Sequence, residues 1–354
     1  MMKGVSMFSS AGIGELYLKK IGLNIVVANE VIERRGKLHQ YTYPDAEMII
    51  GDISKEDIFE KFIKESKKHV IDFLIASPPC QGMSIAGKNR CLNSMSLDER
   101  NYLISYVIKA IHILQPKYIL IENVPSLLRL MLNYKDDLLT VPEILNKEFK
   151  DSYTIDTDIL DSADYGVPQT RKRAIIRLYP KNKKWKLPKK EPKITVRDAI
   201  SHLPSLESGE VSNINWHFAR EHDKRHVLWM SHTKTGESAF SNLTHYPRKL
   251  NGDKIKGYDT TYRRIEWDKP APTITIRNDA ISSQRNVHPG RRLEDGTYSD
   301  ARVLTPYELM ILNSIPDDWD IPDSTPEILI RQCIGESIPP LMIKKIIEGV
   351  FSDD

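Results

Sequence analysis

Short, continuous apolar runs separated by longer amphipathic segments fill the first 125 residues of the chain. Each run is followed by glycine or a polar residue, and the runs are residues 4–8, 24–28, 48–50, 71–76 and 118–121. Strands buried on both faces have such unbroken apolar runs, and intervening helices connect strands that run parallel. A helix is expected to begin within residues 14–20. The pattern therefore predicts an α/β fold with a mostly parallel sheet covered by helices.

The second half of the chain has a different texture. A length of 354 residues fits two domains, or one large domain with an insertion. The sequence becomes basic and proline-punctuated after residue 180, and it has no long periodic segment until helical patterns return at residues 305–312 and 341–351. We therefore predict a large domain formed by residues 1–180 and 325–354, and a smaller loop-rich domain with a hinge at residues 181–324.

Composition limits the compartment and the class of protein. Three cysteines, an odd number, argue against a disulfide framework and for a reducing compartment. No apolar run approaches the about 18 residues of a membrane span, and the first residues lead directly into a strand rather than a signal peptide. A soluble, cytoplasmic protein without membrane contact is expected.

Charge is unevenly distributed, although the net charge is only +3. Residues 169–191 contain ten Lys or Arg and one acidic residue, with Tyr179 and Trp185 interleaved. This segment is interpreted either as a docking site for a polyanion or as a solvated basic linker.

Polar residues follow successive predicted strands at the point where each strand ends. They are Glu30, Asp52, Cys80 and Glu122, and a turn of small residues from Phe8 to Glu15 follows the first strand. The carboxyl ends of strands form the ligand-binding edge of an open α/β sheet. Glu30 could accept hydrogen bonds from ribose hydroxyls and Asp52 from an adenine amino group; each alone could also be a solvated loop carboxylate.

Cys80 lies in the segment Ser77-Pro78-Pro79-Cys80-Gln81-Gly82. Two prolines fix φ and remove two backbone donors, so the loop is rigid and cannot become a helix. A thiol on such a loop is presented rather than packed, which indicates a nucleophile. The two other cysteines, Cys91 and Cys333, fit the ordinary role of small buried apolar residues.

Taken in order, these segments resemble the DNA (cytosine-5) methyltransferase family. The resemblance continues with Glu122-Asn123-Val124 and Gln169-Thr170-Arg171-Lys172-Arg173, then with Lys269-Pro270-Ala271-Pro272-Thr273-Ile274, Val303 to Leu309 and Gly335-Glu336-Ser337-Ile338-Pro339-Pro340. It extends from residue 7 to residue 340, nearly the whole chain. Two departures occur, because Ser10 replaces a glycine of the family's glycine turn and Glu336 replaces an asparagine.

The resemblance implies a Rossmann-like, S-adenosylmethionine-dependent methyltransferase domain and, in the smaller domain, target recognition. Cys80 would attack C6 of a cytosine flipped out of double-stranded DNA, Glu122 would hold and protonate N3, and Arg173, with Arg171 beside it, would grip O2. Asn123 would fix the loop geometry. The residues implied for S-adenosylmethionine are Phe8, Ser10, Gly12, Gly14, Glu30, Val31, Asp52, Ile53, Pro79, Leu103, Glu336 and Ser337.

DNA contacts are expected both near the nucleophile and in the smaller domain. Gln81 and Ser84 should lie near the flipped nucleotide. Arginines of the recognition region are candidates for phosphate or guanine contacts, and these are Arg263, Arg264, Arg277, Arg285, Arg291 and Arg292. No metal is expected, because the four histidines between residues 217 and 232 lack a cysteine and a usual ligand spacing.

Other functions remain open from the sequence. A tRNA cytosine-5 methyltransferase could use the same scaffold, and a DNA-binding homologue could have lost catalysis. A nicotinamide dehydrogenase shares the glycine turn and the ribose acid, but it leaves the cysteine loop and the Gln-x-Arg-x-Arg segment unexplained. The resemblance also implies a restriction endonuclease that acts on the same site without forming a stable complex.

Overall fold

The computed structural model describes residues 1–79 and 102–351, which form two units. The first unit comprises residues 1–161, 172–189 and 343–354, and the second comprises residues 162–171 and 190–342. These bounds place residues 162–171 and 325–342 in the second unit, whereas the sequence assigned them to the large domain.

The first unit is built on a seven-stranded sheet in the order β3-β2-β1-β4-β5-β9-β8. Its strands are β1 Met2–Met7, β2 Leu23–Glu30, β3 Glu47–Ile50, β4 Phe73–Ala76, β5 Tyr118–Asn123, β8 Tyr153–Asp161 and β9 Lys172–Pro180, while β6 Met131–Tyr134 and β7 Asp137–Thr140 form a separate pair. The five strands predicted from the apolar runs are confirmed, and they run parallel. Strand order reverses between β1 and β4, where ligands bind in open α/β sheets.

The helices begin and end as follows: α1 Glu33–Thr42, α2 Glu56–Ser66, α3 Ile104–Leu114, α4 Val141–Phe149, α5 Val196–Ile200, α6 Lys224–Ser231, α7 Pro306–Leu312, α8 Glu327–Glu336 and α9 Pro340–Glu348. In the first unit, apolar side chains such as Phe62 on α2, Val107 on α3 and Ile144 on α4 form one core with the sheet. Burying such a side chain contributes roughly 1.5–3 kcal/mol. This packing fixes the strand ends that carry the candidate site.

The segment that follows β1 was predicted to begin a helix, but it does not form a regular α-helix. Between Gly12 and Gly22, both left-handed, the chain makes two short 3₁₀ turns, Ile13–Glu15 and Lys19–Ile21. Only about ten residues separate β1 from β2 after the glycine turn, so the chain turns back before a regular helix can form.

Strands β8 and β9 were missed in the sequence. β9 begins in the basic segment and carries Arg177 in the middle of its apolar residues. This side chain is only 5% exposed, and its Nη2 pairs with Asp158 at 2.8 Å and Asp156 at 3.2 Å on the neighbouring β8. A buried charge that is paired across strands hides the apolar pattern typical of a strand.

The second unit is loop-rich, as predicted. An apolar cluster around Trp229, Met230, Tyr262 and Val303 lies beside fully buried arginines that hold loops through ion pairs and carbonyls. Arg302, for example, pairs with Asp300 and Glu308 at 3.0 and 2.8 Å. In the described part of the chain, no helix is long and apolar enough to cross a membrane.

Candidate functional site

The carboxyl ends of the parallel strands meet at one edge of the sheet. Met7 of β1 lies opposite Asn29 of β2 and opposite Ala76 of β4, which in turn lies opposite Ile121 of β5. The polar residues that follow these strands are therefore brought to the same edge of the first unit.

The turn after β1 has an unusual backbone. Phe8, Ser10 and Gly12 have φ values of 61°, 51° and 72°, in the left-handed region that non-glycine residues avoid. A Cβ atom on Gly12 would lie 2.4 Å from the Tyr43 ring and 2.8 Å from the His39 ring. Glycine is therefore required at position 12, whereas Ser10 holds its conformation at a cost in strain.

Glu30 clamps this turn from the neighbouring strand. Its Oε2 accepts a hydrogen bond from the Ser10 amide at 2.9 Å, and its Oε1 accepts one from the Ile32 amide at 2.8 Å. The Ser10 hydroxyl is buried and has no hydrogen-bond partner in the described part of the chain. An unpaired buried hydroxyl and a carboxylate with further lone pairs fit a ligand that carries hydroxyl or amino groups.

Apolar and acidic groups continue this edge toward β3. Val31 is 59% exposed directly after Glu30, whereas Ile53 is buried. Asp52 accepts hydrogen bonds at one oxygen, Oδ1, from the amide and hydroxyl of Ser54 at 2.9 and 2.8 Å. Leu103, at the start of α3, packs against the core. Hydrogen-bonding groups beside an exposed apolar surface are what a nucleoside-containing cofactor needs.

Glu122 and Arg173 form an ion pair at the ends of neighbouring strands. The Nε atom of Arg173 lies 2.9 Å from Oε1 of Glu122, and both side chains are largely buried. The antiparallel register of β5 and β9, with Asn123 opposite Ala174, sets this distance. The pair holds a carboxylate and a guanidinium in fixed positions at the edge of the sheet.

Asn123 ties this pair to the cysteine loop. Its Nδ2 donates to the carbonyl of Pro78 at 2.8 Å, and its Oδ1 accepts from the amide of Val124 at 2.8 Å. The loop tie expected from the sequence is present. Cys80, Gln81 and Ser84 lie outside the described residues, so they stay sequence predictions; Pro79, the last described residue before them, is half-buried.

Arg171 lies in the second unit, and its hydrogen-bond partners are different from those of Arg173. Its guanidinium is buried and donates to the carbonyls of Ile274, Gly335 and Glu336 at 2.8, 3.1 and 2.9 Å. This arrangement fits a structural tie between loops rather than a grip on a base, and we leave Arg171 out of the proposed catalytic group.

Glu336 and Ser337, expected at the cofactor, also belong to the second unit. The Ser337 hydroxyl donates to the carbonyl of Ile334 at 3.0 Å and accepts from the side-chain amide of Asn313 at 3.0 Å. These bonds fix the end of α8, and the role of both residues at a cofactor stays a prediction.

Arg264 does not have the exposure that a DNA contact needs. Its guanidinium is fully buried and donates to the carbonyls of Met230, His288 and Asp300 at 2.9, 2.8 and 3.1 Å. Burial lowers its pKa to about 10. Arg264 therefore stabilises the fold of the second unit. It is removed from the predicted set of DNA-binding arginines because its guanidinium is buried.

The remaining predicted arginines of the second unit reach the surface to different degrees. Arg277 is exposed, Arg263 pairs with Asp259, and Arg291 bonds Asp300 and the carbonyl of Ser201, both at 3.1 Å. In the basic segment of residues 169–191, Tyr179 and Trp185 are buried, whereas the lysines are exposed.

A basic hairpin, residues 247–255, was missed in the sequence. Its two arms meet at the isolated Arg248–Lys254 bridge, and Gly252, at φ 88°, turns the chain at the tip. Arg248 and Lys254 both contact the Tyr246 ring, at 4.1 and 5.1 Å from its centre. Leu250 at the tip is 90% exposed. The signal was visible as four Lys or Arg between residues 246 and 256 around an aromatic ring and a glycine.

The four histidines between residues 217 and 232 are engaged in protein contacts. His217 bonds Thr305 Oγ1 and the carbonyl of Pro204 at 3.0 and 3.1 Å, and His226 packs against Trp229. Within residues 1–79 and 102–351, no three His, Cys, Asp or Glu side chains are grouped to hold a metal ion.

Solved structures with the same architecture are methyltransferases. A DNA modification methyltransferase encoded within an E. coli prophage matches with a TM-score of 0.70 and 20% identity, covering 99% of both chains. The Entamoeba histolytica methyltransferase EhMeth matches with a TM-score of 0.65 and 17% identity, covering 99% of this chain and 98% of that one. The chain therefore has the mostly parallel α/β fold of these methyltransferases.

Sequence comparison defines the family. The model of the family described as C-5 cytosine-specific DNA methylase matches residues 2–352. The Type II methyltransferase M1.HgaI of Avibacterium volantium is 59% identical over 351 residues, which are 99% of this chain and 98% of that protein. M1.HphI of Haemophilus parahaemolyticus is 29% identical, covering 98% of this chain and 86% of that protein. The chain belongs to the C-5 cytosine-specific DNA methylase family and is a DNA (cytosine-5) methyltransferase.

Proposed function

We propose that the protein is the sequence-specific methyltransferase of a restriction-modification system. It transfers a methyl group to C5 of a cytosine flipped out of double-stranded DNA, through a covalent bond between Cys80 and C6. The observation that carries the proposal is the Glu122–Arg173 pair at 2.9 Å beside a proline loop that Asn123 ties down. A cognate endonuclease would cleave the same sequence without a stable complex with this chain.

The proposed residues divide one difficult reaction into two easier steps. The Cys80 thiolate adds to C6 while Glu122 gives a proton to N3, so that the ring electrons shift toward C5 and C5 becomes nucleophilic. Arg173 donates to O2 and polarises the ring in the same direction. After methylation, loss of the C5 proton to a base, departure of the thiolate and return of the N3 proton to Glu122 restore the neutral aromatic ring.

S-adenosylmethionine, when bound, supplies an electrophilic methyl group on a sulfonium without the need for a metal. Glu30 would accept the ribose hydroxyls with its remaining lone pairs, and the unpaired Ser10 hydroxyl would gain a partner. Asp52 would accept from the adenine amino group, and the exposed Val31 would cover an adenine face. Phe8, Gly12, Gly14, Ile53, Pro79 and Leu103 complete the proposed site.

We propose that the second unit recognises the DNA and that the basic hairpin is part of this surface. Arg248, Lys249, Lys254 and Lys256 place four cations around one short hairpin, with Asp253 as the acidic residue among them. Positive charge of this density favours binding to the phosphate backbone of DNA. The exposed leucine at the tip can contact base edges or deoxyribose groups in a groove. Arg263, Arg277 and Arg291 complete the proposed phosphate-binding set in this unit.

Removing Lys249 of the basic hairpin together with Lys256, which directly follows the hairpin, should weaken DNA binding. Lys249→Ala with Lys256→Ala is expected to lower duplex affinity about tenfold near 0.1 M salt, and to reduce the salt-dependence slope by about 2, because two phosphate contacts are lost. Titration of a labelled duplex at several salt concentrations measures both quantities. The matched control, Lys64→Ala with Lys67→Ala on and just after α2, removes equal charge from exposed positions of the first unit. Equal salt-dependence slopes for the two double variants would exclude the basic hairpin from the DNA-binding surface.

Methyl transfer itself tests the proposed function. The protein should transfer tritiated methyl groups from S-adenosylmethionine to duplex DNA, and bisulfite sequencing should show modified cytosines in one short sequence context. Transfer to tRNA with none to duplex DNA would favour the tRNA enzyme instead. DNA binding without any transfer would favour the silent homologue.

A further inference from the structure

A largely buried polar group lies directly behind the glycine turn. It consists of Glu15, His39 and Tyr43, which were not selected as site residues in the sequence. Tyr43 follows α1, His39 lies within it, and Glu15 lies in the first 3₁₀ turn. Tyr43 is 31 residues away from Gly12, which it contacts, and His39 is 24 residues away from Glu15.

The contacts of this group converge on the turn. The Tyr43 hydroxyl donates to the carbonyl of Gly12 at 2.8 Å. His39 is fully buried, with its Nε2 at 3.1 Å from Oε2 of Glu15, and Oε1 of Glu15 accepts from the Ser6 hydroxyl at 2.5 Å. Burial and the charge of Glu15 raise the pKa of Tyr43 well above its usual range, so the phenol keeps the proton that it donates.

The turn needs such support because its backbone is strained. Phe8 and Ser10 both have φ near 50–60°, a conformation that costs energy for residues with a side chain. Glu30 holds the turn from the ligand side through the Ser10 amide at 2.9 Å. The Tyr43 and His39 rings hold it from behind, within 3 Å of where a Cβ on Gly12 would lie.

We propose that Tyr43, His39 and Glu15 are positioning residues for S-adenosylmethionine. They act through the turn from Phe8 to Gly12, which they keep in its left-handed, ligand-binding conformation before the cofactor arrives. Preorganisation of this kind raises affinity because less ordering is left for the binding step. The inference rests on the proposed cofactor site, and it concerns cofactor binding rather than the chemistry at Glu122.

A matched pair of tyrosine variants tests the proposal on the full chain. Tyr43→Phe removes the bond to the Gly12 carbonyl, and Tyr153→Phe removes an equivalent bond to the Pro116 carbonyl, 2.7 Å long and away from the turn. Calorimetric titration with S-adenosylhomocysteine should give a Kd raised about fivefold for Tyr43→Phe and unchanged for Tyr153→Phe. The KM for S-adenosylmethionine should rise with that Kd, while kcat stays within about twofold.

A second comparison separates hydrogen bonding from packing. His39→Gln retains a side-chain N–H that can reach Glu15 and should bind S-adenosylhomocysteine nearly as well as the native protein, whereas His39→Leu should bind it less tightly. Equal Kd values for the native protein, Tyr43→Phe and His39→Leu would overturn the positioning role. A native protein that binds no S-adenosylhomocysteine would instead remove the proposed cofactor, a distinct result.

Discussion

The Cys80→Ala protein is expected to form no denaturant-resistant adduct with duplex DNA that carries 5-fluorocytosine in the recognised sequence. Under the proposed mechanism, Cys80 adds to C6 and the methyl group is transferred, but fluorine at C5 cannot leave as a proton does. The Cys80–C6 bond therefore persists, and a shifted band remains on a denaturing gel. Alanine provides no thiolate, so the covalent step is lost entirely.

Cys333→Ala is the matched control for this experiment. Cys333 is buried in α8, so its replacement removes a thiol from the core without touching the proline loop. The adduct should form at native yield in this variant. An adduct that persists in Cys80→Ala and disappears in Cys333→Ala would reverse the assignment of the nucleophile.

Glu122→Gln is expected to reduce kcat by about 10²–10⁴-fold, the range for loss of a general acid, while duplex binding is retained. Glutamine can still accept from Arg173 Nε, so the 2.9 Å contact and the strand ends that it joins should survive. It cannot release a proton to N3, so negative charge develops on the ring without neutralisation. Single-turnover methyl transfer and a binding titration on the same duplex measure the two quantities separately.

Glu148→Gln serves as the control for Glu122→Gln. Glu148 is also an ion-paired carboxylate of the first unit, with Lys135 Nζ at 2.7 Å, but it lies on α4. Its replacement should leave turnover close to native. Native turnover in Glu122→Gln would exclude the acid role of this residue and leave it only the task of holding Arg173.

Much of the sheet could be predicted because its signals are local. The apolar runs of β1 to β5 and the polar residues after them lie within a few positions of each other, so Glu30, Asp52 and Glu122 were placed at one edge correctly. β9 could not be found in the same way. Its Arg177 looks like part of a basic surface until Asp156 and Asp158 of β8 are seen to neutralise it.

The roles of individual arginines depended on contacts that sequence spacing does not encode. Arg171 and Arg173 are two positions apart, yet one bonds carbonyls about 100 to 165 residues away in the second unit and the other pairs with Glu122. Arg264 looked like its neighbour Arg263, but it is buried and donates to four carbonyls, whereas Arg263 reaches the surface. Burial decides whether a guanidinium is structural or available to phosphate, and burial is a property of the folded chain.

The sequence by itself determined the fold class, the family and the edge of the sheet where the chemistry belongs, because these rest on short motifs and on the period of apolar residues. Only the tertiary structure decided which side chains support that edge. Tyr43 meets Gly12 across 31 residues, and Asn123 meets Pro78 across 45. Such contacts are set by how helices and strands pack, and no local pattern in the chain records them.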